Sequence, residues 1–488
     1  MKQLKKLTIL HSNDMHGEFL AKEVDDRLLG GVSMLSGYVN KVRSEEENLL
    51  YVIAGDMFRG SVIDSEYKGL STIEIMNMLA PDVVTLGNHE LDYGLGHLLF
   101  IEKCARFPII NANLYLSTNH SRLFNSHVIL NVDGMKILFI GVLTEEVLAQ
   151  ARKEELIGSI VDVHEAAEEV GKICNAYQTE DIDCTVLLTH IGFDEDKKLA
   201  ELLDPRWGVD MIIGGHSHTY LEEPCMVAGI PIVQAATGTK QIGRFDLMID
   251  TDKNTIDSYE WELIPIEESR CPRDHDLENL IMRYKKKTDE KYLRYVTRFP
   301  RAYKNGGRNE ESEIGRLFTD ILSDNLGLDI MFLASGSLRT KSLGPIIQYQ
   351  ELVQMFPFKD EVCRVTVTGA QLKRMMNHVF REEFFDGERV ETFQISHGLQ
   401  VICSRSEKRV KELLFEEAPI ADETLFKIGM QGFAFKSLGD FFGVTTEEAL
   451  ANGPCKVVAT SAMDVWEEYF SRKEIVKCPE DKRWVMED

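Results

Sequence analysis

The sequence predicts a layered α/β domain, a short helical linker, and a smaller mixed α and β domain. Three observations carry this prediction. Residues 1–266 alternate short, continuous apolar runs with helical stretches, the pattern of strands buried on both faces between helices. Residues 267–308 change character, with prolines at 272 and 300 and a crowd of basic residues. From residue 300 onward, helical signals over 313–326, 369–380 and 462–470 are interspersed with β-rich segments.

The apolar runs fall at 7–11, 49–54, 83–86, 136–142, 184–189, 211–213 and 230–233. The first follows a basic start at 1–6. Its apolar part, 7–10, is shorter than the ~7–15 residues of a signal-peptide core, so it reads as the first core strand. The linker holds one amphipathic helix over 276–295. Arg283, Lys285, Lys286, Lys287, Lys291, Arg294 and Arg298 read as its solvated face rather than as a binding patch.

Composition removes several function classes. The chain has 488 residues, with 55 Lys plus Arg against 80 Asp plus Glu, a formal net charge of -25. Broad binding of a nucleic-acid backbone needs a basic surface, so it is not expected here. No apolar run approaches the ~18 residues of a membrane helix, so no membrane partner is expected. Nine scattered cysteines with no C-x-x-C spacing suggest free thiols in a reducing compartment, and a cytoplasmic location is expected.

Five of the strands run into potential metal ligands. The run 7–11 leads to Asp14 and His16, and 49–54 to Gly55 and Asp56. The run 83–86 leads to Gly87, Asn88, His89, Glu90 and Asp92. The run 184–189 leads to His190, and 211–213 to Gly214, Gly215, His216 and His218. In an open α/β sheet, sites form beyond the carboxyl ends of the strands, so these groups are expected to converge. Asp14 and His16 are two apart, as are His216 and His218; in extended backbone each pair would share a face. Mixed nitrogen and oxygen donors without thiolate suit Mn, Zn, Fe or Co better than Ca. A carboxylate such as Asp56 can bridge two cations, and two cations ~3.5–4 Å apart would clamp a phosphoryl group and supply hydroxide for in-line attack.

The ordered set resembles the calcineurin-like metallophosphoesterases, and within them the 5'-nucleotidase family that includes the UDP-sugar hydrolases. Ile9 to Gly17 (ILHSNDMHG) is similar to that family's ILHTNDxHG, and Gly87 to Gly94 (GNHELDYG) to its GNHEFDYG. The resemblance implies a four-layer α/β/β/α catalytic domain over 1–266, a linker helix over 267–299, and a C-terminal substrate domain over 300–488. It implies two divalent metal ions: one held by Asp14, His16, Asp56 and His218, the other by Asp56, Asn88, His190 and His216. His89 and Asp92 would form the catalytic dyad, the imidazole meeting charge on the phosphoryl oxygens or protonating the leaving group. His218 stands where the periplasmic members carry Gln.

The second domain resembles the family with more departures. Residues 314–320 (IGRLFTD) are similar to IGNLxAD, with Arg316 in place of Asn. Residues 334–339 (ASGSLR) are similar to NGGGIR, with one glycine of three retained and with Arg339 as the phosphate clamp. Phe393, and Phe442 in 438–442 (LGDFF, similar to GGDGF), match the aromatics that would sandwich a base. Arg374 and Arg381 are further pocket candidates. The expected activity is two-metal-dependent hydrolysis of 5'-nucleotides to nucleoside and phosphate. UDP-sugars, 2',3'-cyclic nucleotides or a dinucleotide pyrophosphate are the alternatives within enzymes, and a silent nucleotide-binding module is the alternative outside them.

Overall fold

A computed structural model describes residues 3–25, 27–116, 119, 121–144, 157–160, 162–386 and 390–487. Met1 and Lys2 of the basic start lie outside them. The chain divides into two compact units, Met1–Thr288 and Asp289–Asp488.

The first unit is built on two six-stranded sheets. In the first, β1 (Leu4–Ser12), β2 (Leu49–Ala54), β3 (Val83–Thr85) and β4 (Ile109–Ile110) run parallel. In the second, β5 (His127–Val132) pairs antiparallel with β6 (Met135–Leu143), which continues in parallel to β7 (Cys184–His190), β8 (Met211–Ile213) and β9 (Ile230–Val233), with a short antiparallel strand at Cys225–Val227 on the outer edge. Alternation along each strand sorts side chains into layers. Leu7, Ile9, Val52 and Ala54 face Ile137, Phe139, Val186 and Leu188 in one apolar cluster between the sheets. Leu10 and Ile53 point the other way, into a cluster with helices α1 (Val32–Glu45), α2 (Leu70–Leu79) and α3 (Leu95–Cys104). Leu138, Ile140 and Leu187 pack with α4 (Val163–Ala176) and α5 (Phe193–Leu202). Helix, sheet, sheet and helix make the four layers expected.

All seven apolar runs form strands. The edge hairpin of β10 (Gln241–Asp250) and β11 (Thr255–Pro265), which pairs with β1, carries no continuous apolar run and is additional. Its alternation of buried and exposed residues reflects one covered face. The expected linker helix is α6 (His275–Tyr292), with Arg283, Lys286 and Lys287 exposed. Its apolar residues Leu277, Leu280 and Ile281 are buried in the cluster beside α1, so its first half is part of the first unit's core.

The second unit has a five-stranded sheet centred on Ile330–Ala334 and Leu425–Gln431 and a four-stranded sheet that includes Leu399–Ser404 and Trp484–Glu487. Helices Glu313–Leu326, Gly369–Val379 and Ala462–Ser471 lie where the sequence places them. Ser312 caps the first of these by accepting from the Gly315 N–H, and Thr368 caps the second in a reciprocal box with Gln371.

Candidate metal centre and active site

The carboxyl ends of β1, β2, β3, β7 and β8 bring the predicted ligands of the first unit together. The local geometry differs from the extended backbone that the two-residue spacings suggest. Asp14, His16, Asp56, His216 and His218 all have positive φ, between 47° and 80°. Left-handed backbone at five non-glycine positions is costly and is retained where surrounding structure enforces it, characteristically at functional sites. Close approach is enforced by glycine: a Cβ on Gly87 would lie 2.2 Å from Asp56 Oδ1, and one on Gly215 would lie 2.4 Å from the Ala54 carbonyl oxygen.

Two groups of donors result. His218 Nε2 lies 3.3 Å from Asp14 Oδ1 and 3.0 Å from His16 Nε2. His190 Nε2 lies 3.2 Å from Asp56 Oδ2, 3.8 Å from Asp14 Oδ1 and 3.3 Å from Asn88 Oδ1, which is also 2.8 Å from His216 Nδ1. Asp14–His16–His218 and Asp14–Asp56–His190 each bring one ligand atom per residue within 4.8 Å of the others. A third such set, His16–Asp56–His89, includes the residue assigned to the dyad. The donors fit divalent cations: two imidazole nitrogens face each other beside a fully buried carboxylate, and no thiolate is among them. The His190 Nδ1–H donates to the Ala54 carbonyl at 2.8 Å, which fixes the ring with Nε2 toward Asp56.

Electrostatics agree. Burial raises the Asp56 pKa, but the adjacent His190 and the His89 backbone N–H prevail and hold it well below the usual carboxylate range. Burial opposes charge on His190, yet Asp56 and Asp14 push its pKa up to about 9. The metal-free protein therefore keeps a proton on a ring that must be neutral to ligate. His190 is raised above its unfolded value of ~6.5, so its contribution to metal-free stability is complete below ~6.5 and is lost as pH rises toward about 9. The rise in melting temperature on adding Mn²⁺ should accordingly be larger near pH ~8.5 than near ~6.5. Equal shifts at the two pH values, read by thermal denaturation, would remove His190 from the ligand set.

Beside these groups, His89 Nδ1 lies 2.7 Å from Asp92 Oδ2, and Asp92 also accepts from the Arg59 guanidinium. Hydrogen bonding to Asp92 raises the His89 pKa. With Nδ1 engaged, Nε2 is the atom left for a substrate. His11, inside the first motif, is not part of this set. Its ring stacks on Trp261 with centroids 5.4 Å apart, and burial pushes its pKa down to about 3.

Three buried carboxylates have structural roles that the sequence reading does not assign. Glu90 accepts from the backbone N–H groups of Asp56, Met57, Phe58 and Gly87 at 2.7–3.4 Å, tying the two ligand loops together. Asp196 accepts from Thr189 at 2.6 Å and Gln234 at 3.2 Å, and Gln234 also donates to the Gly215 carbonyl. Asp64 holds the loop that carries Arg59. The available signal was a carboxylate inside an apolar or glycine-rich turn, as Glu90 is in GNHELD. Replacing Glu90 with Ala orphans four buried donors and should cost at least ~3 kcal/mol, measured by urea denaturation.

The remaining candidates lie in the second unit. Arg339 is exposed, its guanidinium 5.0 Å from the Phe358 ring centroid, with no carboxylate partner among the described residues. Arg374 is paired with Glu448 at 3.0 Å, and Arg381 donates to the His378 carbonyl at 2.9 Å. The expected base sandwich is corrected. Phe393 and Phe442 are buried, their ring centroids 4.4 Å apart and their planes tilted by 30°, and Phe332 closes on Phe442 at 5.5 Å. A ring held between them would need about twice the ~3.5 Å stacking distance. In the helical turn Leu438–Phe442, Phe442 faces the core, while Phe441 and Phe433, 5.8 Å apart, are among the partly exposed rings nearby.

Comparison with known proteins identifies both domains. Residues 7–220 match the model of the calcineurin-like phosphoesterases, and residues 293–446 match the 5'-nucleotidase C-terminal domain. The chain joins a calcineurin-like phosphoesterase domain to a 5'-nucleotidase C-terminal domain. With this pair of domains it is a phosphoric ester hydrolase. It is 26% identical over 534 residues to a mouse 5'-nucleotidase, covering 96% of this chain and 89% of the relative. A 5'-nucleotidase precursor from Thermus thermophilus has a similar fold, with TM-score 0.59 and 24% identity over 99% of both chains. So does the NAD nucleotidase of Haemophilus influenzae, with TM-score 0.56 and 17% identity over the whole of both.

Proposed function

We propose that this protein is a two-metal hydrolase of 5'-nucleotides, releasing nucleoside and phosphate. The observation that carries the reading is three overlapping sets of donors, two of them sharing Asp14 and two sharing Asp56, with the His89–Asp92 pair beside them. Two divalent cations, when bound, would neutralise phosphoryl charge and activate water. Asp14, His16, Asp56 and His218 would hold one, and Asp56, Asn88, His190 and His216 the other. The protein's own work is then done at His89. Asp92 fixes the imidazole through Nδ1, and Nε2 meets the phosphoryl oxygens and delivers a proton to the oxygen that departs as the P–O bond breaks. Arg339 is the arginine proposed to clamp an anionic group, because Arg374 and Arg381 are committed to local partners. The nine free cysteines support a reducing, cytoplasmic setting.

A specific observation supports a second reading of the leaving group. The Phe393–Phe442 pair is closed on itself, and the 334–339 loop carries Ser335 and Ser337 in place of glycines. The altered loop favours a UDP-sugar or a 2',3'-cyclic nucleotide, whereas the closed pair argues against a Phe393–Phe442 sandwich for the base of any of these substrates. The test is product analysis after incubation of the Mn²⁺-loaded protein with AMP, UMP, UDP-glucose and 2',3'-cyclic AMP. Nucleoside and phosphate from AMP or UMP support the first reading. Turnover confined to UDP-glucose or the cyclic ester assigns the second. No turnover of any of them defeats both.

A further inference from the structure

We infer that Arg59 is a positioning residue for the His89–Asp92 pair, locking the carboxylate that orients the imidazole. The inference rests on the reading of His89 as the proton-handling group. Asp92 Oδ2 takes both the His89 Nδ1–H, at 2.7 Å, and the Arg59 Nη1–H. The Asp92 side chain is 3% exposed, so water does little to hold it. A single hydrogen bond would leave the carboxylate able to swing about its terminal torsion. A second donor of fixed planar geometry, charged at every working pH, removes that freedom.

Arg59 is itself built into place. Its φ is +63°, uncommon for a residue with a side chain, and its N–H donates to Asp64 Oδ2 at 2.9 Å. Asp64 is fully buried; it also accepts from the Thr72 hydroxyl and, at 2.9 Å, from the hydroxyl of Tyr93, the residue that follows Asp92. One buried carboxylate therefore anchors both the loop carrying Arg59 and the turn carrying Asp92. The next residue, Gly60, is pressed so closely on the metal-ligand segment that a Cβ there would lie 2.3 Å from the His16 carbonyl oxygen. A residue without function would not need this scaffold at an exposed position.

The test is a double-mutant cycle on the full-length, metal-loaded chain with R59A, R59K, H89A and R59A/H89A. Arg59→Ala should lower kcat by about 10–100-fold with KM changed less than about threefold, and Arg59→Lys should recover part of the loss. In the His89→Ala background the Arg59→Ala change should cost nothing further. An additive loss, or a rise in KM at unchanged kcat, would overturn the inference in favour of direct substrate binding. A readout independent of turnover is the downfield Nδ1 proton of His89 in histidine-labelled protein, assigned by its loss in His89→Gln. It should broaden in Arg59→Ala and persist in Arg59→Lys; an unchanged resonance in Arg59→Ala would overturn the inference. A wild-type protein that hydrolyses no phosphoester defeats the functional reading instead, and the resonance then decides the role of Arg59 alone.

Discussion

Replacing His89 with alanine is expected to lower kcat by about 10²–10⁴-fold while the protein keeps its fold and its bound cations. His89 Nδ1 is spent on Asp92, so the ring reaches a substrate through Nε2 alone. The seven proposed ligands remain in place without it. The check is steady-state hydrolysis alongside metal content after gel filtration. Because His89 also falls within a set of donors with His16 and Asp56, the metal measurement discriminates between two roles. Lost turnover with full metal content identifies the proton-handling group. Lost turnover together with lost metal would make His89 a ligand.

The second large effect is expected at Asp56. Its carboxylate belongs with Asp14 and His190 on one side and with His16 on the other, and its Oδ1 is held by the His89 backbone N–H at 2.9 Å. Asparagine keeps the shape and the amide contact but removes the charge that both cations would share. Asp56→Asn should weaken Mn²⁺ binding by at least about a hundredfold and abolish measurable hydrolysis. The same change removes the main charge that keeps a proton on metal-free His190, so that ring should become neutral near pH ~7. Calorimetric titration of Mn²⁺ reads the first effect and histidine NMR the second. Wild-type affinity in Asp56→Asn would exclude a bridging role.

The strands and ligands were legible because buried parallel strands carry continuous apolar runs and because each ligand follows such a run directly. Asp14, Asp56, His190 and His216 could therefore be placed at one sheet edge from order alone. What order could not supply was conformation. Asp14 and His16 converge through left-handed turns and not through extended backbone, since five positive φ values at non-glycine residues leave no mark in the residue types. The hairpin Gln241–Asp250 and Thr255–Pro265 was missed because its charged alternation resembles a solvated segment. Phe393 and Phe442 show the opposite failure. A matching position did not fix the environment, because Phe441 stands where the related motif has glycine and Phe442 turns into the core. The roles of Glu90, Asp64 and Asp196 were not legible because a buried carboxylate is recognised by the backbone amides and hydroxyls it serves.

The most direct test of a two-cation hydrolase is phosphate release from AMP by chelator-stripped protein, before and after Mn²⁺ is returned. No release before and sustained release after, with two Mn²⁺ bound per chain at full rate, is the predicted result. Release by the stripped protein at the rate of the loaded one would contradict it.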